Sequence, residues 1–222
     1  MTNYPVKAKL IALTQPVIGV PAASPEELMA YCARVSSERK EEERGKDHEW
    51  LLKYCMKNKH WSVFEMANAV VEVQAPRDIS RQLLRHRSFS FQELSQRYSS
   101  DMTFCTRDIR MQDTKNRQNS VDSFDETTKS NFKDQCDWLS ELSRKVYNQW
   151  LDGGAAKECA RVFLPEGLTM STLYINGTIR SWLHYLDIRD DEGHSQREHV
   201  MLARAIRKEI IPALPTLLGE NK

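Results

Sequence analysis

Glycine is scarce in this 222-residue sequence, with eight in all and none in a G-x-G-x-x-G or G-x-x-x-x-G-K-[ST] pattern. That absence excludes Rossmann and Walker phosphate loops, so any bound phosphate must be met by side chains and subunit edges. Cysteine is sparse as well. Cys32, Cys55, Cys105, Cys136 and Cys159 are odd in number, widely spaced and never in a C-x-x-C pair, which reads as buried, reduced thiols in a cytoplasmic compartment. Nor do the histidines offer a metal pattern. There is no H-E-x-x-H, and His194 and His199 are five apart, off any shared helix face, so no metal site is expected.

Long apolar runs are missing too. Nothing approaches the ~20 residues of a membrane span. The longest uncharged stretch, Leu10 to Pro25, is broken by Gln15, Pro16, Gly19 and Pro21, too early for the ~7–15-residue core of a signal peptide. Net charge is almost absent, +1 from 32 Lys+Arg against 31 Asp+Glu, so any anion binding must come from local clustering. What remains is 40% hydrophobic and 28% charged. That is the make-up of one globular domain spanning 1–222, able to bury roughly 70% of its unfolded surface without disulfides or metal.

The pattern along the chain interleaves helices with a few strands. Lys7 to Ile18 reads as an edge strand. Ser24-Pro25-Glu26-Glu27 supplies an N-cap, a first-turn proline and a capping-box glutamate for a helix to about Ser36. The charge run 38–49 reads as a solvated loop leading into a helix with Trp50, Leu51, Tyr54 and Cys55. Val71, Val73 and Ala75 alternate with Glu72 and Gln74 in a half-buried strand, Asn68 to Ala75, after which Pro76 opens a helix. Residues 106–131 are polar and read as a surface segment. Helical spacing returns through Trp138, Leu142, Val146 and Trp150 until Gly153-Gly154. A short helix to Leu164, a strand from Leu168 to Ile175, and helices Thr178–Ile188 and Gln196–Ile211 complete a single α+β unit.

Charge is concentrated in one place. Between Arg77 and Arg97 lie five arginines against Asp78 and Glu93, a stretch suited to an anion. On a helix Gln82 and Arg85 share a face, whereas Arg85 and Arg87 are about 200° apart. Either the helix ends at this point or Arg85-His86-Arg87 contacts two different anionic groups. Phe89, Phe91 and Tyr98 add rings, and an RNA-binding module stacking bases on them is the rival reading. The near-zero net charge and the lack of an RNP1-like segment count against it, so no nucleic-acid partner is expected.

Arg85-His86-Arg87, then Ser95 and Arg97-Tyr98, resembles the signature of the flavin-dependent thymidylate synthases. The likeness extends from Ala33-Arg34-Val35-Ser36 through His60-Trp61-Ser62-Val63-Phe64-Glu65 to the C-terminal helices. It implies an α+β domain with a mostly antiparallel sheet flanked by helices, assembled as a homotetramer with shared active sites. The implied reaction is methylation of dUMP to dTMP, with 5,10-methylenetetrahydrofolate as carbon donor and FAD, reduced by NADPH, as hydride source.

By position in these motifs, Ser36, His60, Ser62, Glu65, Arg85, His86, Arg87, Ser88, Gln92, Glu93, Thr178, Ile179, Arg180 and His184 are implied FAD contacts. Ser62, Gln92, Thr178 and His184 depart from the residues most common in the family at those places. Gln82, Arg85, Glu93, Ser95, Gln96, Arg97, Arg161 and Arg189 are implied contacts of dUMP. Ser95 and Arg97 would receive its phosphate through charge-assisted hydrogen bonds; no base adjoins Ser95 to make it a nucleophile. Arg189, in Leu186-Asp187-Ile188-Arg189, is the implied catalytic residue. A guanidinium beside the uracil imide favours loss of the ring proton and pushes electron density toward carbon 5 without changing its own protonation.

Overall fold

The computed structural model describes residues 6–36, 48–100 and 102–219. Strand β2 (Asn68–Pro76) organises the sheet because its alternate residues Ala69, Val71, Val73 and Ala75 are fully buried. Its two edges pair with β1 (Lys7–Leu13) and β6 (Met170–Thr178), and β3 (Ser90–Glu93) pairs with the far side of β6. The order is β1-β2-β6-β3, antiparallel throughout. The central pair runs nine residues, from Asn68 opposite Thr178 to Pro76 opposite Met170.

Helices cover the apolar face of this sheet: α1 (Pro25–Ala33), α2 (His48–Lys57), α6 (Ile179–Arg189) and α7 (Arg197–Ile210). Met29, Phe64, Ile79, Trp182, Tyr185, Leu202 and Ile206 fill the core between the layers. Ser24 caps α1 through Oγ, which accepts the Glu27 N–H at 3.1 Å, while Glu27 reaches back to the Ala23 N–H. Thr178 caps α6, its hydroxyl accepting the Ser181 N–H at 3.2 Å, so strand β6 passes into helix α6 with no residue between them. Residues 38–47 of the charge run lie outside the described residues.

Several expectations shift. The first strand stops at Leu13, because Val17 to Val20 closes a turn that leaves Val17 and Ile18 exposed and unable to pair. Strand β6 runs three residues beyond Ile175, carried by pairing with the whole of β2. Strand β3 was not anticipated; its Ser-Phe-Gln-Glu alternation is short and mostly polar. Segment 106–131 holds a small hairpin, β4 (Met111–Gln112) with β5 (Ser120–Val121), and two arginines that turn inward. Helix α4 (Glu126–Asp152) is capped by Asp125 and runs ~40 Å. It turns Cys136, Ser140, Ser143 and Tyr147 to its own chain and Trp138, Leu142 and Trp150 outward, the reverse of a core-facing apolar stripe. Of the cysteines expected to be buried, Cys159 is exposed and Cys32 half-buried; all five are free. A crossing of the membrane is not supported by any helix among the described residues.

Candidate active site

Helix α3 (Arg77–Leu83) decides how the arginine triplet is presented. It closes with the Leu84 N–H on Ser80 O, and the His86 N–H then bonds Leu83 O at 3.0 Å. Arg85-His86-Arg87 therefore lies in a turn between α3 and β3, free of the 200° separation a continued helix would impose. Phe89 fastens that turn. Its ring lies 4.5 Å from Trp182 and occupies the space beside Gly177, where a Cβ would overlap it. The Ser181 hydroxyl donates to Ser88 O at 3.3 Å. Arg85 and Arg87 are exposed, and neither has a carboxylate partner among the described residues. Buried Phe89 and half-buried Phe91 offer no open base-stacking platform, though Tyr98 is 80% exposed.

Arg189 ends α6 against this turn. Its Nε donates to His86 Nε2 at 3.0 Å, which requires an unprotonated acceptor nitrogen and so a neutral imidazole. Burial, then the charge of Arg189, takes the His86 pKa down to about 4. Burial, followed by Arg85's charge, also lowers the proton affinity of Arg189 itself. Behind them, fully buried His199 of α7 places Nε2 3.1 Å from the Tyr185 hydroxyl and Nδ1 3.2 Å from Gln82 Oε1. Burial, then Arg189, takes His199 to about 3. Gln82 Nε2 donates onward to Gln196 Oε1 at 2.7 Å. Asp190, next in sequence, is clamped by Arg204 and Arg207 at 2.8 Å each, fixing the end of α6.

The remaining residues singled out from sequence fall into two groups at opposite ends of β6. Near Thr178, Glu65 pairs with Arg180, and exposed Ser62 sits in the 3-10 turn Trp61–Glu65. His60 precedes that turn with its ring edge-on to Tyr54 at 5.9 Å. His184 of α6 is exposed, and so is Gln92, which lies between the two ends, opposite Tyr174. Ile179 is fully buried, and its N–H bonds Ala67 O at 2.9 Å. Near Thr172, whose carbonyl accepts the Leu94 N–H, the Ser95 hydroxyl accepts the Arg97 N–H at 3.3 Å and Arg97 pairs with Glu158 at 3.0 Å. That ion pair brings Ser95, Gln96 and Arg97 beside the turn bearing Arg161. Glu93 faces inward, accepting from Ser171 at 2.9 Å beside Arg77 at 3.3 Å. Six residues of β6 separate the groups, ~20 Å of strand. Ser36 ends a 3-10 turn, and its side chain lies outside the described residues. A cavity of about 620 Å3 is lined by Lys115, Asn116, Arg117 and Gln118, and neither group walls it.

The family profile of the thymidylate synthase complementing protein matches residues 20–216. The chain belongs to that family. It is 45% identical over 211 residues to the flavin-dependent thymidylate synthase of Synechocystis sp., covering 94% of this chain and 96% of that one. It is 46% identical over 214 residues to a probable flavin-dependent thymidylate synthase of Paramecium bursaria Chlorella virus 1, covering 96% and 97%. Among solved structures, the UMP/dUMP methylase PolB from Streptomyces cacaoi bound with 5-Br dUMP superposes with a TM-score of 0.82 at 26% identity, covering 98% of this chain and 94% of that one.

In this member of the thymidylate synthase complementing family, sequence reasoning passed over Tyr185, Gln196 and His199. The signal was present: His199 interrupts the apolar stripe Val200, Ala203 and Ile206 of α7, and a histidine on a core face needs partners. It also passed over the ion network under α7. Buried Glu198 is met by Arg110 at 2.6 Å and Arg107 at 3.7 Å, and Arg107 reaches Asp78 at 2.8 Å. Those arginines come from the segment read as surface, and nothing in its composition signals an inward turn.

Proposed function

We propose that this protein is a flavin-dependent thymidylate synthase, converting dUMP to dTMP with 5,10-methylenetetrahydrofolate as carbon donor and NADPH as reductant, and leaving tetrahydrofolate. The observation that carries the reading is Arg189, a cation held by His86 beside exposed Arg85 and Arg87. Two exposed guanidiniums without carboxylate partners among the described residues fit the pyrophosphate of FAD, with the Ser88 and Ser62 hydroxyls as further donors. When bound, the flavin supplies the hydride. The chain's own residues do the rest. Arg189 stabilises negative charge on the uracil imide and raises electron density at carbon 5, and it is worth more in a partly dry site than in water. His86, held neutral, orients that guanidinium without competing for its charge. Ser95, Arg97 and Arg161 receive the nucleotide phosphate, Arg97 exchanging Glu158 for it.

The two residue groups lie ~20 Å apart on one chain, which supports active sites completed by a neighbouring subunit. The outward stripe of Trp138, Leu142 and Trp150 supports the same homotetramer, since such patches are normally covered. Purified protein is expected to be yellow and to release tritium from carbon-5-labelled dUMP only when methylenetetrahydrofolate and NADPH are both supplied. Colourless protein without tritium release would remove the proposal.

A further inference from the structure

We infer that Tyr185 and His199 are positioning residues that fix which way the Gln82 amide faces the pyrimidine, and so help the site distinguish a 4-oxo from a 4-amino ring. The inference deepens the proposed function and rests on Gln82 being a nucleotide contact. A glutamine amide is nearly symmetric in shape, so its donor and acceptor ends are sorted only by its hydrogen-bond partners. Here the sorting begins at a buried hydroxyl. Tyr185 is fully buried, and His199 Nε2, at 3.1 Å, is the one hydrogen-bond partner of its hydroxyl among the described residues. A buried hydroxyl proton needs an acceptor, so it goes to Nε2. With Nε2 accepting, the imidazole carries its proton on Nδ1 and donates to Gln82 Oε1 at 3.2 Å. Gln82 Nε2 then donates to Gln196 Oε1 at 2.7 Å.

Reversing the chain would leave the buried Tyr185 proton without an acceptor among the described residues, so one polarity prevails. Gln82 is left with one N–H and one lone pair in a fixed sense. Uracil offers a carbonyl at carbon 4 beside an imide N–H; cytosine offers an amine beside a bare nitrogen. A locked amide matches only one of these patterns, whereas an amide free to flip accommodates both.

The test compares the KM for dUMP with the inhibition constant of dCMP in the flavin-loaded enzyme. Tyr185→Phe deletes one oxygen and keeps the ring packing on Phe89 and Trp182. It is expected to cut the preference for dUMP over dCMP by about tenfold, the factor carried by one ordinary hydrogen bond, with flavin retained. His199→Leu should do the same, and His199→Asn, whose amide N–H sits near the Nδ1 position, should recover most of the preference. An unchanged preference in Tyr185→Phe, or equal losses in His199→Leu and His199→Asn, overturns the inference. Gln82→Ala separates the layers: weakened dUMP binding in that variant supports the contact on which the inference rests, and unaltered binding overturns contact and inference together.

Discussion

At the scale of single residues, the site is a cation surrounded by groups that cannot dilute it. Arg189→Ala is expected to keep the flavin absorbance and lower dTMP formation by about 10²–10³-fold, as for other preorganised charge stabilisers; near-native turnover would end its catalytic role. Arg87→Ala should yield folded but colourless protein, read by absorbance after gel filtration. The imidazoles make stability depend on pH in a definite sense. His86 and His199 titrate at about 4 and about 3 in the fold, against ~6.5 in an unfolded chain. Between these limits the unfolded chain binds the extra protons, so stability is full above about pH 6.5 and declines as pH falls toward 4. Melting temperatures should follow that decline, and His86→Gln, which can still accept from Arg189, should flatten it. The cluster around Arg85 was legible because it is local, while Gln82 and Arg189 were singled out through the resemblance to the family's motifs. His199 was not, because its partners lie 14 and 117 positions away.

Elements show how these residues are held. Helix α2 ends in a Schellman arrangement, the Lys59 N–H on Met56 O and the His60 N–H on Cys55 O. Lys59 takes a φ of 59° where glycine is usual. Lys59→Gly should relieve strain worth about 1 kcal/mol, partly offset by the freer unfolded chain, and denaturant titration reads the balance. Beneath α7, Glu198→Ala removes the anion between two buried guanidiniums and should cost about 3–5 kcal/mol. The N-cap of α1, strand β2 and the stops at Gly153 and Pro165 were readable from sequence, since each depends on a few neighbouring residues. Strand β3 was not. Its pairing with β6 bridges some eighty residues of chain, and four residues of mixed polarity carry too little period to reveal it.

For the whole molecule, the apolar face of α4 is the feature whose meaning changes with scale. Its spacing was legible, and its direction was not, because the period identifies a face without saying what meets it. Trp138→Glu with Trp150→Glu should shift the proposed tetramer to smaller species in sedimentation and abolish turnover with it; a full-size, active double variant would detach assembly from catalysis. The seamless passage from β6 into α6 sets a stricter condition. With the strand's end serving as the first cap, Arg189 is indexed to the sheet like a cam on a shaft. One inserted residue at Thr178 would rotate it by about 100° about the helix axis and advance it 1.5 Å, so evolution can vary the residues of this junction far more readily than their number.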